Sequence, residues 1–223
     1  VLYVSDTRKS GSFATTFASG HGLDGPWGMV TDGIFLYVAS FTTDRIHKYH
    51  LESGKFAGAF GSETDSLDCP EGMVIGPNRT LFVASFLNDK ILKYSLDGDF
   101  LGVVANKSHG IKGNCELYVR TSFIYRPEDV ALLSDGTLLV CSHYTDNILK
   151  FNSTNNKFLG EFAKVERPVG ITVGSDRNVY VTSYVTNSIL RYSGRTGKYI
   201  DVYASGGGLS GPSSVRLPYS VCS

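Results

Sequence analysis

Two glutamates each follow a proline in similar settings: Glu71 in Cys69-Pro70-Glu71-Gly72 and Glu128 in Arg126-Pro127-Glu128-Asp129. With Asp129 they are the side chains best equipped for chemistry. Carboxylates brought together from separate segments can hold a hard cation such as calcium, which takes six to eight oxygen ligands at about 2.3–2.6 Å. They can equally cap turn amides or face water. No Ser-His-Asp order, His-rich metal motif or phosphate-binding glycine loop accompanies them, and Gly206-Gly207-Gly208 lacks a following lysine or helical pattern.

Whether these carboxylates meet depends on the elements that carry them, and internal repeats define those elements. The proline motif recurs as Gly25-Pro26-Trp27-Gly28, Arg167-Pro168-Val169-Gly170 and Gly211-Pro212-Ser213-Ser214, so repeats start near 25, 69, 126, 167 and 211, about 41 to 57 residues apart. A second block follows in the first four: Leu36–Phe41, Leu81–Phe86, Leu138–His143 and Val179–Tyr184. A third is Ile46–Tyr49, Ile91–Tyr94, Ile148–Phe151 and Ile189–Tyr192, reached through Asp44, Asp89, Asp146 or Asn187. These short β-branched and aromatic runs read as strands, and the small polar residues between them, which tolerate the left-handed region, read as hairpin turns. A fourth block, such as Lys55–Phe60 or Lys157–Phe162, completes four antiparallel strands per repeat. No segment sustains a 3.6-residue amphipathic period. The expectation is one all-β domain over residues 1–223, a β-propeller whose four-stranded blades cover one another's apolar faces.

Pro-x-Gly, then Leu-Tyr-Val-Ala-Ser, then Ile-x-Lys-Tyr resembles the NHL-repeat group of β-propellers, including relatives with virginiamycin-lyase-like or regucalcin-like blades. The resemblance covers nearly the whole chain and is specific for fold, since such propellers serve both as binding platforms and as enzymes. The chain opens on a second-block strand, Leu2–Ser5, and closes on a first-block strand, Ser213–Leu217, so a terminal seam is expected to complete five blades. The first blade is short, with 7 residues from Val4 to Gly11 against 16 from Val38 to Gly54. The alternative is part of a six-bladed ring.

In a propeller the first strand of each blade lines the central channel, which places Trp27, Glu71, Glu128, Val169 and Ser213 at its entrance. The resemblance to regucalcin-like and lactonase-like propellers implies a metal there, with Glu71, Glu128 and Asp129 as ligands, although Trp27, Val169 and Ser213 supply no further carboxylates. Phe41, Phe86, His143 and Tyr184 form a second ring, expected to pack blade against blade. The basic ring Lys48, Lys93, Lys150 and Arg191 is expected to blunt exposed strands. The long interval between Val104 and Arg126 carries His109, Lys112, Tyr118 and Arg120, a mixture suited to protein or glycan contact.

The 223 residues carry 21 basic and 21 acidic side chains, so no global field draws nucleic acid or an anionic membrane. No apolar run is long enough for a membrane span, and the N-terminus shows neither a Met nor a signal-peptide core, as expected of a mature chain or a fragment. Cys69 begins one blade and Cys115 lies in the loop leading to the next, so these two are expected to form a disulfide, leaving Cys141 as a buried small hydrophobe and Cys222 free or bonded to it near the seam. Sequons at Asn78, Asn106 and Asn152 fall in turns or the insertion. Together these features point to an extracellular or cell-surface glycoprotein. With symmetric repeats and no nucleophile–base pair, the chain reads as a non-catalytic module that binds proteins or glycans or builds a larger assembly, needing no cofactor. The alternative is a metal-dependent hydrolase or lyase with calcium at the channel mouth.

Overall fold

The computed structural model describes residues 2–6, 12–61, 63–106 and 126–217. They form a β-propeller with four complete blades. The first blade is β3 (Pro26–Thr31), β4 (Phe35–Ser40), β5 (Arg45–His50) and β6 (Phe56–Phe60); the second is β7 (Pro70–Gly76), β8 (Thr80–Ser85), β9 (Lys90–Ser95) and β10 (Phe100–Ala105). The third is β11 (Pro127–Leu132), β12 (Thr137–Ser142), β13 (Asn147–Asn152) and β14 (Phe158–Lys164); the fourth is β15 (Pro168–Val173), β16 (Asn178–Ser183), β17 (Ser188–Ser193) and β18 (Tyr199–Ser205). Ahead of them, β1 (Leu2–Asp6) and β2 (Ser12–Ala18) make a two-stranded sheet.

This corrects the expectation of five four-stranded blades, and equally that of a six-bladed ring. The N-terminal segment supplies one hairpin, because β2 pairs directly with β1 and, among the described residues, no further strand precedes β3. At the other end, residues 213–217 run beside β15, close enough that a Cβ on Gly170 would lie 2.7 Å from the Ser214 Cα, and Val215 is buried. Among the described residues this stretch joins no sheet.

In the two middle blades the second strand, β8 or β12, lies mid-blade with a neighbouring blade on either face. Its residues are therefore buried on both sides, as in Thr80–Ser85, and the expected inside–outside alternation disappears. Cores form between blades. Tyr37 and Ile46 of the first meet Leu81 and Tyr94 of the second; Phe82 and Ile91 meet Leu138 and Phe151; Leu139 and Ile148 meet Val179 and Tyr192. Cys141 sits fully buried in the last of these cores, as expected.

The inner strands β3, β7, β11 and β15 lie side by side around the channel. The glycine of the Pro-x-Gly motif permits this, since a Cβ on Gly28 would fall 2.1 Å from the Glu71 carbonyl oxygen and one on Gly72 would collide with Asp129. The basic ring is also structural. Lys48 donates to the Leu96 carbonyl and covers the Phe35 ring, and Lys93 donates to the Ser153 carbonyl, so each ties its blade to the next instead of fending off solvent.

A latch repeats at every junction. Asp44, Asp89, Asp146 and Asn187 occupy the left-handed region between strands two and three, as their residue types suggested. Their side chains then accept the N–H of the residue preceding the next proline: Cys69 at 2.7 Å, Arg126 at 2.7 Å, Arg167 at 2.9 Å and Gly211 at 2.7 Å. The carbonyls of Cys69, Arg126 and Arg167 in turn accept the N–H of Phe86, His143 and Tyr184 in their own blades. Those three residues hold φ of 49°, 53° and 45°, a conformation that costs a non-glycine residue about 1 kcal/mol or more and persists because it is bonded on both sides.

Candidate functional site at the channel entrance

Successive strands run in opposite directions, so the starts of the inner strands and the turns between strands two and three share one face, the channel entrance. Glu71 and Glu128 meet there, hydrogen-bonded through their side chains. Glu71 is almost wholly buried, and its Oε2 has no partner. Burial, then the neighbouring Glu128 and Asp129, push the Glu71 carboxyl far above the usual carboxylate range, with Arg126 opposing. Glu128 is also raised by burial. One proton is thus held between the two oxygens, with Glu71 as the neutral member.

His143 extends this pair. Its Nδ1 lies 3.5 Å from Glu128 Oε1 without making a hydrogen bond. The ring donates to the Pro168 carbonyl, since proline has no N–H to offer, and with Nδ1 unpartnered the donor is Nε2. Burial holds the imidazole below its ordinary pKa. Asp129 stands apart from this chain. It occupies the position that is glycine in the other complete blades, and it accepts from the N–H of Ile171 at 3.1 Å, its own neighbour Val130 at 2.9 Å, and Arg216 Nη1 at 3.3 Å. Burial raises its pKa against these three favourable contacts.

The three carboxylates expected as metal ligands therefore share one face but not one task. Among the described residues, the group whose ligand atoms all approach within 4.8 Å is Asp44, Asp68 and Cys69, where Asp44 is already committed to a latch. Among the described residues Cys69 has no disulfide partner, and burial, with Asp44 and Asp68, pushes its thiol up to about 11. Its expected disulfide partner Cys115 lies outside the described residues, as do Cys222 and the insertion residues His109, Lys112, Tyr118 and Arg120. Asn78 and Asn152 sit in turns on the face opposite the entrance, whereas Asn106 follows β10 toward the entrance.

Around the carboxylates runs an arc of aromatic rings and guanidinium groups. Trp27 lies 6.0 Å from Phe41, and Phe41 6.2 Å from Phe86. Arg126 covers Phe86 at 4.9 Å and Tyr144 at 5.3 Å; Arg167 covers the same Tyr144 at 4.4 Å. His143 links Tyr144 to Tyr184. Trp27, Tyr144 and Tyr184 keep 53%, 41% and 54% of their surface exposed. The expected ring does pack blade against blade, Phe41 on Phe86 and His143 on Tyr184, while Tyr184, Trp27 and Tyr144 also leave it partly open to solvent. Sequence reasoning also missed its cations, although Arg126 and Arg167 occupy the pre-proline slot, the very position the latches fix. A cavity of about 240 Å³ opens beside the rim, lined by Trp27, Glu128, Asp129, Ser213 and Arg216 among others.

No protein-family model matches the sequence, and a search of curated proteins finds no match. Solved structures do resemble it. A chain of a nidogen/laminin complex aligns with a TM-score of 0.72 at 17% identity, covering 92% of this chain and 72% of that one. A streptogramin B lyase gives 0.64 at 18%, covering 88% and 60%, and virginiamycin B lyase from Staphylococcus aureus gives 0.53 at 15%, covering 85% and 77%. These likenesses show the fold: an NHL-like β-propeller, as the repeated blocks implied.

The shared proton gives a pH dependence of known sign. Above the ordinary glutamate value the folded state binds more protons than the unfolded one, so this site's stabilisation is complete in acid and is lost as pH rises toward the raised folded value. Melting temperature is expected to fall between pH 7 and 9, above the histidine window, and Glu71→Gln, which mimics the protonated carboxyl, is expected to flatten that decline. Parallel slopes for parent and variant would contradict a shared proton.

Proposed function

We propose that this propeller is a non-catalytic interaction module that receives a protein partner on its channel-entrance face. The arc from Trp27 through Tyr144 to Tyr184 carries this reading. Tryptophan, tyrosine and arginine dominate the energetically important centres of protein interfaces, and here they form one continuous, half-exposed surface on a rigid scaffold. Stacking Arg126 and Arg167 on Tyr144 fixes both guanidinium groups before any partner arrives, so little side-chain entropy is lost on binding. The likeness to a chain from a nidogen/laminin complex fits a propeller that works by binding proteins.

Photo-crosslinking amino acids at Trp27 and Tyr184 are expected to capture one common protein from extracts of the natural source, while the same probe at Lys55, on the opposite face, captures none. Tyr144→Ala is expected to weaken that captured complex at least 10-fold without lowering the melting temperature, in line with about 1–2 kcal/mol for an interface anchor. Capture from Lys55 alone, or from all three positions alike, would contradict the assignment.

We further propose an extracellular or cell-surface location. Asn78 and Asn152 support it, because glycans there would project from the face opposite the rim and leave the rim free. In intact mass measurements on natively sourced protein, reduction is expected to add two protons for a Cys69–Cys115 disulfide, and deglycosylation is expected to remove at least one N-linked glycan. Four free thiols on an unmodified chain would place it in a reducing compartment.

A further inference from the structure

Below the entrance the channel widens into a cavity of about 540 Å³, within the range of about 300–1,000 Å³ typical of pockets for one small ligand. Its wall is built from inner-strand residues of all four blades, among them Met29, Val74, Val130, Leu132 and Val173. Met29 leaves 49% of its surface exposed on this wall, an apolar surface without a partner among the described residues.

Among the described residues one charged side chain lines this cavity. Arg216 arrives from the C-terminal segment beside β15 and lines both this cavity and the smaller one at the entrance. Through Nη1 it donates to the Val215 carbonyl and, at 3.3 Å, to Asp129. Among the described residues Nε and Nη2 donate to nothing, and the side chain remains 53% exposed. A guanidinium edge with two parallel N–H groups is the complement of a carboxylate, which it binds in bidentate fashion. Every other neighbour in the cavity is apolar or a threonine such as Thr31 or Thr172.

We propose that the central channel binds a single amphiphilic monocarboxylate, with the carboxylate on the free edge of Arg216 and the apolar chain along the wall below. One cation selects one anionic group. With no other charge among the described wall residues, a second charged or strongly hydrated group would be buried without a partner there and is selected against. Asp129 keeps its two amide donors, so it remains satisfied while Arg216 turns its other edge to the ligand. This site is separate from the protein-binding rim, and neither proposal depends on the other.

Calorimetric titration of the full chain with sodium dodecanoate, kept below its micellar concentration, tests the idea. Saturable binding of one molecule per chain is expected. Dodecan-1-ol, with the same chain and no charge, is expected to bind at least 10-fold more weakly, and Arg216→Gln to lower dodecanoate affinity at least 10-fold while leaving dodecanol affinity unchanged. Because Arg216→Gln also removes the Asp129 contact and could unfold the chain, a diazirine-bearing dodecanoate provides a second readout on the unaltered protein, with labels expected on channel residues such as Met29 and Val74. Unsaturable binding, equal affinity for acid and alcohol, or labelling confined to the outer surface would overturn the proposal.

Discussion

What the rest of this molecule depends on is a hydrogen bond between a turn and a backbone amide in the next blade. A four-stranded sheet buries neither of its faces alone, so hydrophobic contact pulls blades together, but that attraction is non-directional and fixes no register. The latches of Asp44, Asp89, Asp146 and Asn187 supply direction. The fourth holds Gly211 ahead of the stretch beside β15, and the first three each aim at the residue just before an inner strand and so set where that strand enters the channel. The same residue's carbonyl binds the first rim residue of its own blade, which places Arg126 and Arg167 against Phe86 and Tyr144. The fold and the architecture of the entrance face are thus products of one repeated bond.

The inner strands add a second constraint. With glycine as the third motif residue, neighbouring strands approach at backbone distance, as Gly28 does to Glu71. The third blade has Asp129 there instead. A buried charge is tolerated only with partners, and the amides of Ile171 and Val130 and the guanidinium of Arg216 provide them. This one departure from the repeat draws Arg216 into the channel and separates the entrance, with its proton-sharing glutamates, from the apolar cavity below.

Much of the fold was legible in the residues. Strand blocks, turn residues and proline motifs recur in register, and periodicity of this kind survives without knowledge of tertiary contacts. The complementary ends misled, because a strand-like pattern at Ser213–Leu217 says nothing about whether its amides find a ladder. The sequence also showed that Asp44 and its equivalents suit the left-handed region, but not that their carboxylates reach across a blade junction, since the acceptor and its amide lie between 21 and 37 residues apart. At the site, the convergence of Glu71 and Glu128 followed from the repeat. Their shared proton did not, for it depends on burial. The rim was read as packing because Phe41, Phe86, His143 and Tyr184 occur once per blade; Trp27 and the two arginines sit at repeated positions whose residue type changes from blade to blade, so the period located them without showing that they stack into one surface.

The direct test is the stability of Asp44→Gly compared with Asp44→Asn. Glycine adopts the left-handed conformation freely but offers no acceptor, so it isolates the bond from the turn. Denaturant melts are expected to show Asp44→Gly losing about 1–3 kcal/mol, the cost of leaving the Cys69 amide unsatisfied, with Asp44→Asn close to the parent because Asn187 already performs this task in the fourth blade. An Asp44→Gly variant as stable as the parent would show that the blades are held by packing alone.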